Sequence, residues 1–274
     1  MKKLIIVSDW ASDSLTREEV RLTVLGFLKD PSSLASISFV SATVSTIHTS
    51  FLTAQVVERE QEFGRPQESV IFQNTDPRFE SPQGSHNSQG AEFLIAKLHS
   101  GIFVCGPNAG NNFSFVKEKI QVLFLYKKSD EKTQFRSRDL YARICAHLMD
   151  GLEDELDLEE VSVDKIPDID GYYIGHIDNY GNIKTTLTPE DFKGKYEFGE
   201  MVRIRINRVE KQAKFVTGLF GGTLGELVIY PGSSGPRDNP YLEISIWRHF
   251  TEENPTTGKH EFNNPRPGTK VEIL

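Results

Sequence analysis

The stretch "LIIVSD" (4–9) decides the fold. Its apolar residues run on without alternation, as in a strand buried on both faces inside a parallel sheet with helices on each side. The run ends in a carboxylate, Asp9, at the end of the strand where such sheets bind ligands. Downstream, Thr16-Arg17-Glu18-Glu19 has a spacing close to a capping box, and Val20, Val24, Leu25 and Leu28 share one helical face. Pro31 stops that helix. "ISFV" (37–40) reads as a second strand, followed by a helical stretch from His48 to Arg59. "SVIFQNTD" (69–76) is a third strand, again closing on an aspartate, Asp76. "EFLIA" (92–96), "IFVCG" (102–106) and "IQVLFLY" (120–126) add further strands, and "GSHNSQG" (84–90) reads as a mobile loop.

"TQFRSRDLYARICAHL" (133–148) carries Leu140, Tyr141, Ile144, Cys145 and Leu148 at helical spacing, with Gly151 as a stop. Ser137 and Asp139 fall at or just before the helix start, where unpaired backbone N–H groups favour polar oxygens and anions. Capping is the commoner role for such residues. The edge of a pocket for a small nucleophile is the alternative.

The segment from Leu152 to Asp170 is rich in Asp and Glu and contains Pro167, which reads as a solvated connection between domains. Beyond it the periodicity changes to two. "MVRIRINRV" alternates apolar and basic residues, and "KFVTGLF", "ELVIY", "YLEISIW" and "KVEIL" are further short strands separated by Gly and Pro. The fold class is therefore α/β: an N-terminal α/β/α layered domain (1–165) with a smaller C-terminal antiparallel β-barrel or sandwich domain (166–274). Arg203, Arg205 and Arg208 are read as the wet face of a strand rather than a nucleic-acid patch.

The 274 residues carry a net charge of −8, so no global basic field recruits nucleic acid or acidic lipid. The apolar runs are too short to span a bilayer, and the N-terminus reaches Asp9 too soon for a signal peptide. Only Cys105 and Cys145 are present, which fits a reducing cytoplasm and buried, inert thiols. The histidines form no H-x-x-x-H pair and no cluster with cysteine, so no metal site is expected. There is no P-loop, no G-x-S-x-G elbow and no G-x-G-x-x-G after the first strand, which weighs against a Rossmann methyltransferase or dehydrogenase. "FGGTLG" (220–225) lies between strands and reads as a tight turn.

The remaining motifs, taken in order, resemble one family: the S-adenosylmethionine (SAM) hydroxide adenosyltransferases, relatives of the SAM-dependent fluorinase and chlorinase. "SDWASD" (8–13) is similar to the family's T/S-D-F/L-G-x-x-D, "NTDPRF" (74–79) to V-D-P-G-V-G, and "FVCGPNAG" (103–110) to F-V-G-P-D-N-G. "QFRSRDLYARICAHL" resembles T-F-H-G-R-D-I-F-A-P-V-A-A-H-L, and "IDNYGNIKTT" (177–186) resembles I-D-R-F-G-N-L-I-T-N. "LVIYPGSSG" (227–235), with "YLEIS" after it, resembles I-x-x-x-N-S-x-G-x-L-x-I.

The resemblance implies attack at the 5′ carbon of the SAM ribose with loss of methionine, SAM being the substrate and no cofactor being needed. It implies a homotrimer whose pockets form between the N-terminal domain of one chain and the C-terminal domain of the next. It assigns Asp9 to the ribose hydroxyls, Phe220 to stacking on adenine and Asn182 to the adenine edge. Asp178 and Ser233 fall at the amino-acid end of methionine, and Phe135 and Ser234 complete the substrate-binding set. Asp76 matches the acidic member of the water-activating Asp-Arg-His trio. The pattern then departs: the trio's arginine falls at Gln83, its histidine at Arg136, and the small turn after Asp76 has become Arg78-Phe79-Glu80. Ser137 stands where hydrolytic members have glycine and the fluorinase has serine. Arg136 would return positive charge beside Asp76, or would fill the pocket and end turnover. The readings left open are a hydrolase forming adenosine and methionine with Asp76, Arg136 and Ser137 as its catalytic set, a SAM or adenosine binder without catalysis, and a halide adenosyltransferase.

Overall fold

The computed structural model describes residues 2–77, 91–127, 133–248 and 257–274. Gln83, the Arg78-Phe79-Glu80 turn and the 84–90 loop lie outside the described residues. The chain divides into two compact units, Met1–Asp168 and Ile169–Leu274.

In the first unit, β1 (Lys2–Ser8) leads to α1 (Ser14–Phe27), β2 (Leu34–Ser41), α2 (Thr46–Phe63) and β3 (Ser69–Asn74). Then come β4 (Phe93–Leu98), β5 (Phe103–Pro107), β6 (Ile120–Tyr126), α3 (Ala142–Asp150) and β7 (Leu158–Glu160). They form one seven-stranded sheet in the order β2-β1-β3-β5-β4-β6-β7. The β2, β1, β3 and β5 strands run parallel, whereas β4, β6 and β7 join antiparallel.

The unbroken apolar run of β1 has the expected cause. Leu4 and Ile6 pack in one core with Val20 and Val24 of α1 and Ile144 and Leu148 of α3. Ile5 and Val7 pack in a second core with Ala54 and Val57 of α2. Both faces are covered, so both sets of alternate residues must be apolar.

Two local expectations are corrected. Asp13, not Thr16, caps α1, its carboxylate accepting the Thr16 backbone N–H at 2.7 Å; the chain enters the helix one turn earlier than the box spacing implied. The acidic 152–170 segment is not a free connection. Its residues form β7 on β6, and Ile166 is fully buried in the α2-side core, so the division between units falls after Asp168. β7 lies at the sheet edge, where charged side chains face water without cost.

In the second unit, β8 (Tyr172–Ile177), β9 (Ile183–Thr185), α4 (Pro189–Phe192), β10 (Met201–Ile206) and β11 (Val209–Phe215) precede β12 (Leu227–Pro231), β13 (Leu242–Ile246), α5 (Gly258–Glu261) and β14 (Lys270–Ile273). The strands close into a barrel, β10-β11-β12-β13-β9-β8-β14, with β11 and β12 its parallel pair. Val202, Ile204 and Ile206 point into its core with Ile183, Phe215, Ile229 and Ile244. Outside, Arg203 and Arg205 pair with Glu210, and Arg205 also with Glu272, as solvated cross-strand bridges. The "KFVTGLF" strand stops at Phe215; Leu219–Gly221 is a short 3-10 turn.

Candidate functional site

In the first unit the site residues gather where β1 and β3 end and the helical segment containing α3 begins. Asp9 follows β1, and burial pushes its carboxyl up from the ordinary carboxylate value. Hydrogen bonds from Ser8 and the Trp10 backbone oppose that shift, and the charge of Asp76 adds to it. The Ser8 hydroxyl donates to the Asn74 carbonyl at 2.6 Å, tying the ends of the two strands together. Asn74 in turn donates its amide N–H to the Ser137 hydroxyl.

Ser137 is therefore not a helix cap. The first turn starts at Phe135, whose carbonyl accepts the N–H groups of Arg138 and Asp139 at 3.2 and 3.0 Å. Ser137 begins a π-helical turn, Ser137–Tyr141, and its buried side chain faces the end of β3. Such turns mark functional positions more often than ordinary helix does. Asp139 caps nothing either; it accepts from Thr133 and pairs with Arg138 at 2.6 Å.

Arg136 lies close enough to the Tyr141 hydroxyl to act on its ionisation. Burial pushes the pKa of that phenol up from its ordinary value, Arg136 opposes the shift, and Asp76 reinforces it. Among the described residues no ion pair joins Arg136 to Asp76; both charges act on Tyr141. Phe135 meets Trp10 edge-on at 6.2 Å between ring centres.

Asp76 lies two residues beyond β3 on a pinned backbone. Asn112 donates to the Thr75 carbonyl at 2.8 Å and to Gln73 Oε1 at 2.7 Å, and the Thr49 and Thr75 hydroxyls meet at 2.6 Å. Gly106 of "FVCGPNAG" makes this packing possible. At φ +150° a Cβ there would lie 1.8 Å from the Gln73 carbonyl oxygen. Cys105 and Cys145 are fully buried, their sulfurs 3.9 Å apart, and burial pushes the Cys145 thiol well above its ordinary value.

In the second unit Asp178 organises the β8–β9 turn. Its Oδ1 accepts the N–H groups of Tyr180 and Asn182 at 2.9 and 3.0 Å, and its Oδ2 accepts the Asn182 amide at 2.9 Å. The Asn182 side-chain carbonyl accepts from Ser245. The register places Ile183 opposite Ile244 and Lys184 opposite Glu243. The isoleucines enter the barrel core, so Asn182 and Lys184 share the opposite face with Glu243 and Ser245. Ser233 donates its backbone N–H and its hydroxyl to Glu243 Oε1 at 2.8 and 2.9 Å. Ser234 is 5% exposed, and its hydroxyl has no partner among the described residues. Phe220 stands apart from this cluster, 73% exposed, with Trp247 edge-on at 5.5 Å.

Asp9, Asn74, Asp76, Arg136 and Ser137 thus form one cluster, and Asp178, Asn182 and Ser233 another. Sequence reasoning passed over Ser8, Asn74, Tyr141, Lys184, Glu243 and Ser245. The last three sit in alternating "NIK" and "EIS" triplets whose register alone reveals the shared face. Among the described residues no three metal-binding side chains converge, and no helix is long and apolar enough to cross a membrane.

No protein-family model matches the chain. Two solved structures share its fold: an uncharacterized conserved protein from Thermotoga maritima (TM-score 0.69, 19% identity, 99% of this chain and 100% of that one), and a conserved hypothetical protein from Thermus thermophilus (TM-score 0.66, 17% identity, 100% of each). A curated relative, the (R)-S-adenosyl-L-methionine hydrolase of Methanocaldococcus jannaschii, is 32% identical over 139 residues. That match covers 46% of this chain and spans 50%, about half, of the relative's length. The order of the sequence motifs and this relative point the same way: over the matched stretch the chain is similar to a protein named as a SAM hydrolase.

Proposed function

We propose that the protein hydrolyses SAM to adenosine and L-methionine. The observation that carries this reading is the place of Asp76, two residues beyond the Asn74 that bonds Ser137 and next to the pinned Thr75, in a chain whose relative is named as a SAM hydrolase. Water attacks the ribose C5′ as the C5′–S bond breaks. The bonding pair leaves with sulfur as neutral methionine, and the water's proton passes to Asp76. The sulfonium is already a good leaving group, so no acid is needed. The protein must hold water and C5′ in line at about 3–3.5 Å. Asp9 takes the ribose hydroxyls, Phe220 the adenine face, Asn182 the adenine edge, and Asp178 and Ser233 the amino-acid end. Phe135 and Ser234 line the remainder, Arg136 supplies positive charge beside Tyr141, and Ser137 holds the helix start to β3. The homotrimer implied by the family resemblance is part of the same proposal.

Incubation with SAM, with and without chloride or fluoride, followed by liquid chromatography tests the reading. Adenosine is expected in both cases; a halogenated nucleoside would replace hydrolysis by halide transfer. Because Phe220 is largely exposed, removing its ring leaves the core intact. Calorimetry on Phe220→Ala should show adenosine binding weakened by about 1–3 kcal/mol, the worth of a base–aromatic stack. Unchanged affinity would remove Phe220 from the adenine site.

A further inference from the structure

The family's hairpin motif has an apolar residue where this chain has Lys184. The lysine is not loose on the surface. Its Nζ lies 2.6 Å from Glu243 Oε1 and 2.8 Å from the Ser233 hydroxyl, with side-chain exposures of 16% for Lys184 and 6% for Glu243. Glu243 Oε1 already accepts both N–H and O–H of Ser233, and Oε2 accepts the Tyr230 hydroxyl at 3.4 Å. Glu243 Oε1 is thus fully engaged by protein donors. An ammonium has three N–H bonds, and among the described residues only two acceptors face this one. Gly232 makes the close approach possible, since a Cβ there would lie 2.3 Å from Glu243 Cγ.

A buried ion pair is a poor source of stability, because desolvation offsets the attraction. What this one does provide is a cation held rigidly beside Ser233, with a donor left over. On the same β8–β9 hairpin stands the carboxylate of Asp178. The two act on the His176 imidazole with opposite sign: burial and Lys184 lower its ionisation, and Asp178 opposes them. A fixed cation and a fixed anion at one hairpin suit a zwitterion.

We propose that Lys184 is a specificity-determining residue that binds the α-carboxylate of the ligand's amino-acid end, oriented by Glu243 and Ser233. The proposal rests on the SAM reading above and adds to it the selection of carboxylate-bearing adenosyl compounds. Calorimetry on the full chain compares SAM with decarboxylated SAM, which lacks only that carboxylate. Wild type is expected to prefer SAM about 10- to 100-fold, the scale of a charge-assisted hydrogen bond. Lys184→Met removes that preference by weakening SAM alone, leaving the decarboxylated ligand within about twofold. Because this variant strands Glu243, the double variant Lys184→Met/Glu243→Gln is measured beside it and is expected to lose the same preference. Equal weakening of both ligands would show a structural role and overturn the proposal, as would a retained preference in either variant. A wild type that binds both ligands equally overturns it without any variant. A wild type that binds neither ligand overturns the SAM reading and this proposal together.

Discussion

Asp76→Asn is expected to lower adenosine formation about 10²- to 10⁴-fold while SAM still binds. The substitution keeps the shape of the side chain and removes its basicity. Its position is fixed from behind. Asn112 holds the Thr75 carbonyl, Thr49 holds the Thr75 hydroxyl, and the Ala91 N–H reaches Asp76 Oδ2 at 3.4 Å. An amide there should sit as the carboxylate does, so the change acts on the proton transfer and not on the fold. Single-turnover rates with calorimetry on the same preparation separate the two effects. A rate within a few-fold of wild type would mean that another group takes the proton.

Gly106→Ala is expected to destabilise the first unit by about 3 kcal/mol or more. A residue with a side chain at φ +150° costs of order 1–3 kcal/mol. The added Cβ also meets the backbone carbonyl of Gln73, which cannot swing aside as a side-chain tip would, so overpacking adds about 1–3 kcal/mol. Urea denaturation should show a lower midpoint with an unchanged slope. The damage reaches the site, because Gln73 shares the Asn112 bond that pins Thr75. An unchanged midpoint would mean that β3 and β5 separate easily and that the pinning argument fails.

The architecture was legible where burial constrains every position. The continuous run of β1 announced a sheet covered on both faces, and "MVRIRINRV" announced a wall with one dry side. The acidic segment before the second unit misled because β7 is a short edge strand whose charges face water, and one buried isoleucine, Ile166, gives no periodicity. Ser137 misled for a different reason. A hydroxyl near the start of an apolar helix reads as a cap, but the helical turn begins at Phe135 and the π turn directs Ser137 into the core. Asp178 and Asn182 were visible as turn residues, yet the Ser245 contact that completes their mutual bonding depends on register across 63 residues of chain. The Lys184–Glu243 pair, 59 residues apart in sequence, is hidden for the same reason. Arg136, read either as a cation beside Asp76 or as a plug in the pocket, lies near Tyr141, a hydroxyl present where the family motif has phenylalanine.

The most direct test of the account follows the oxygen. SAM turned over in ¹⁸O-labelled water should give adenosine carrying one solvent oxygen on C5′ and unlabelled methionine in equal amount. Adenosine no faster than the uncatalysed background, from a protein that still binds SAM, would contradict hydrolysis and leave a binding protein in its place.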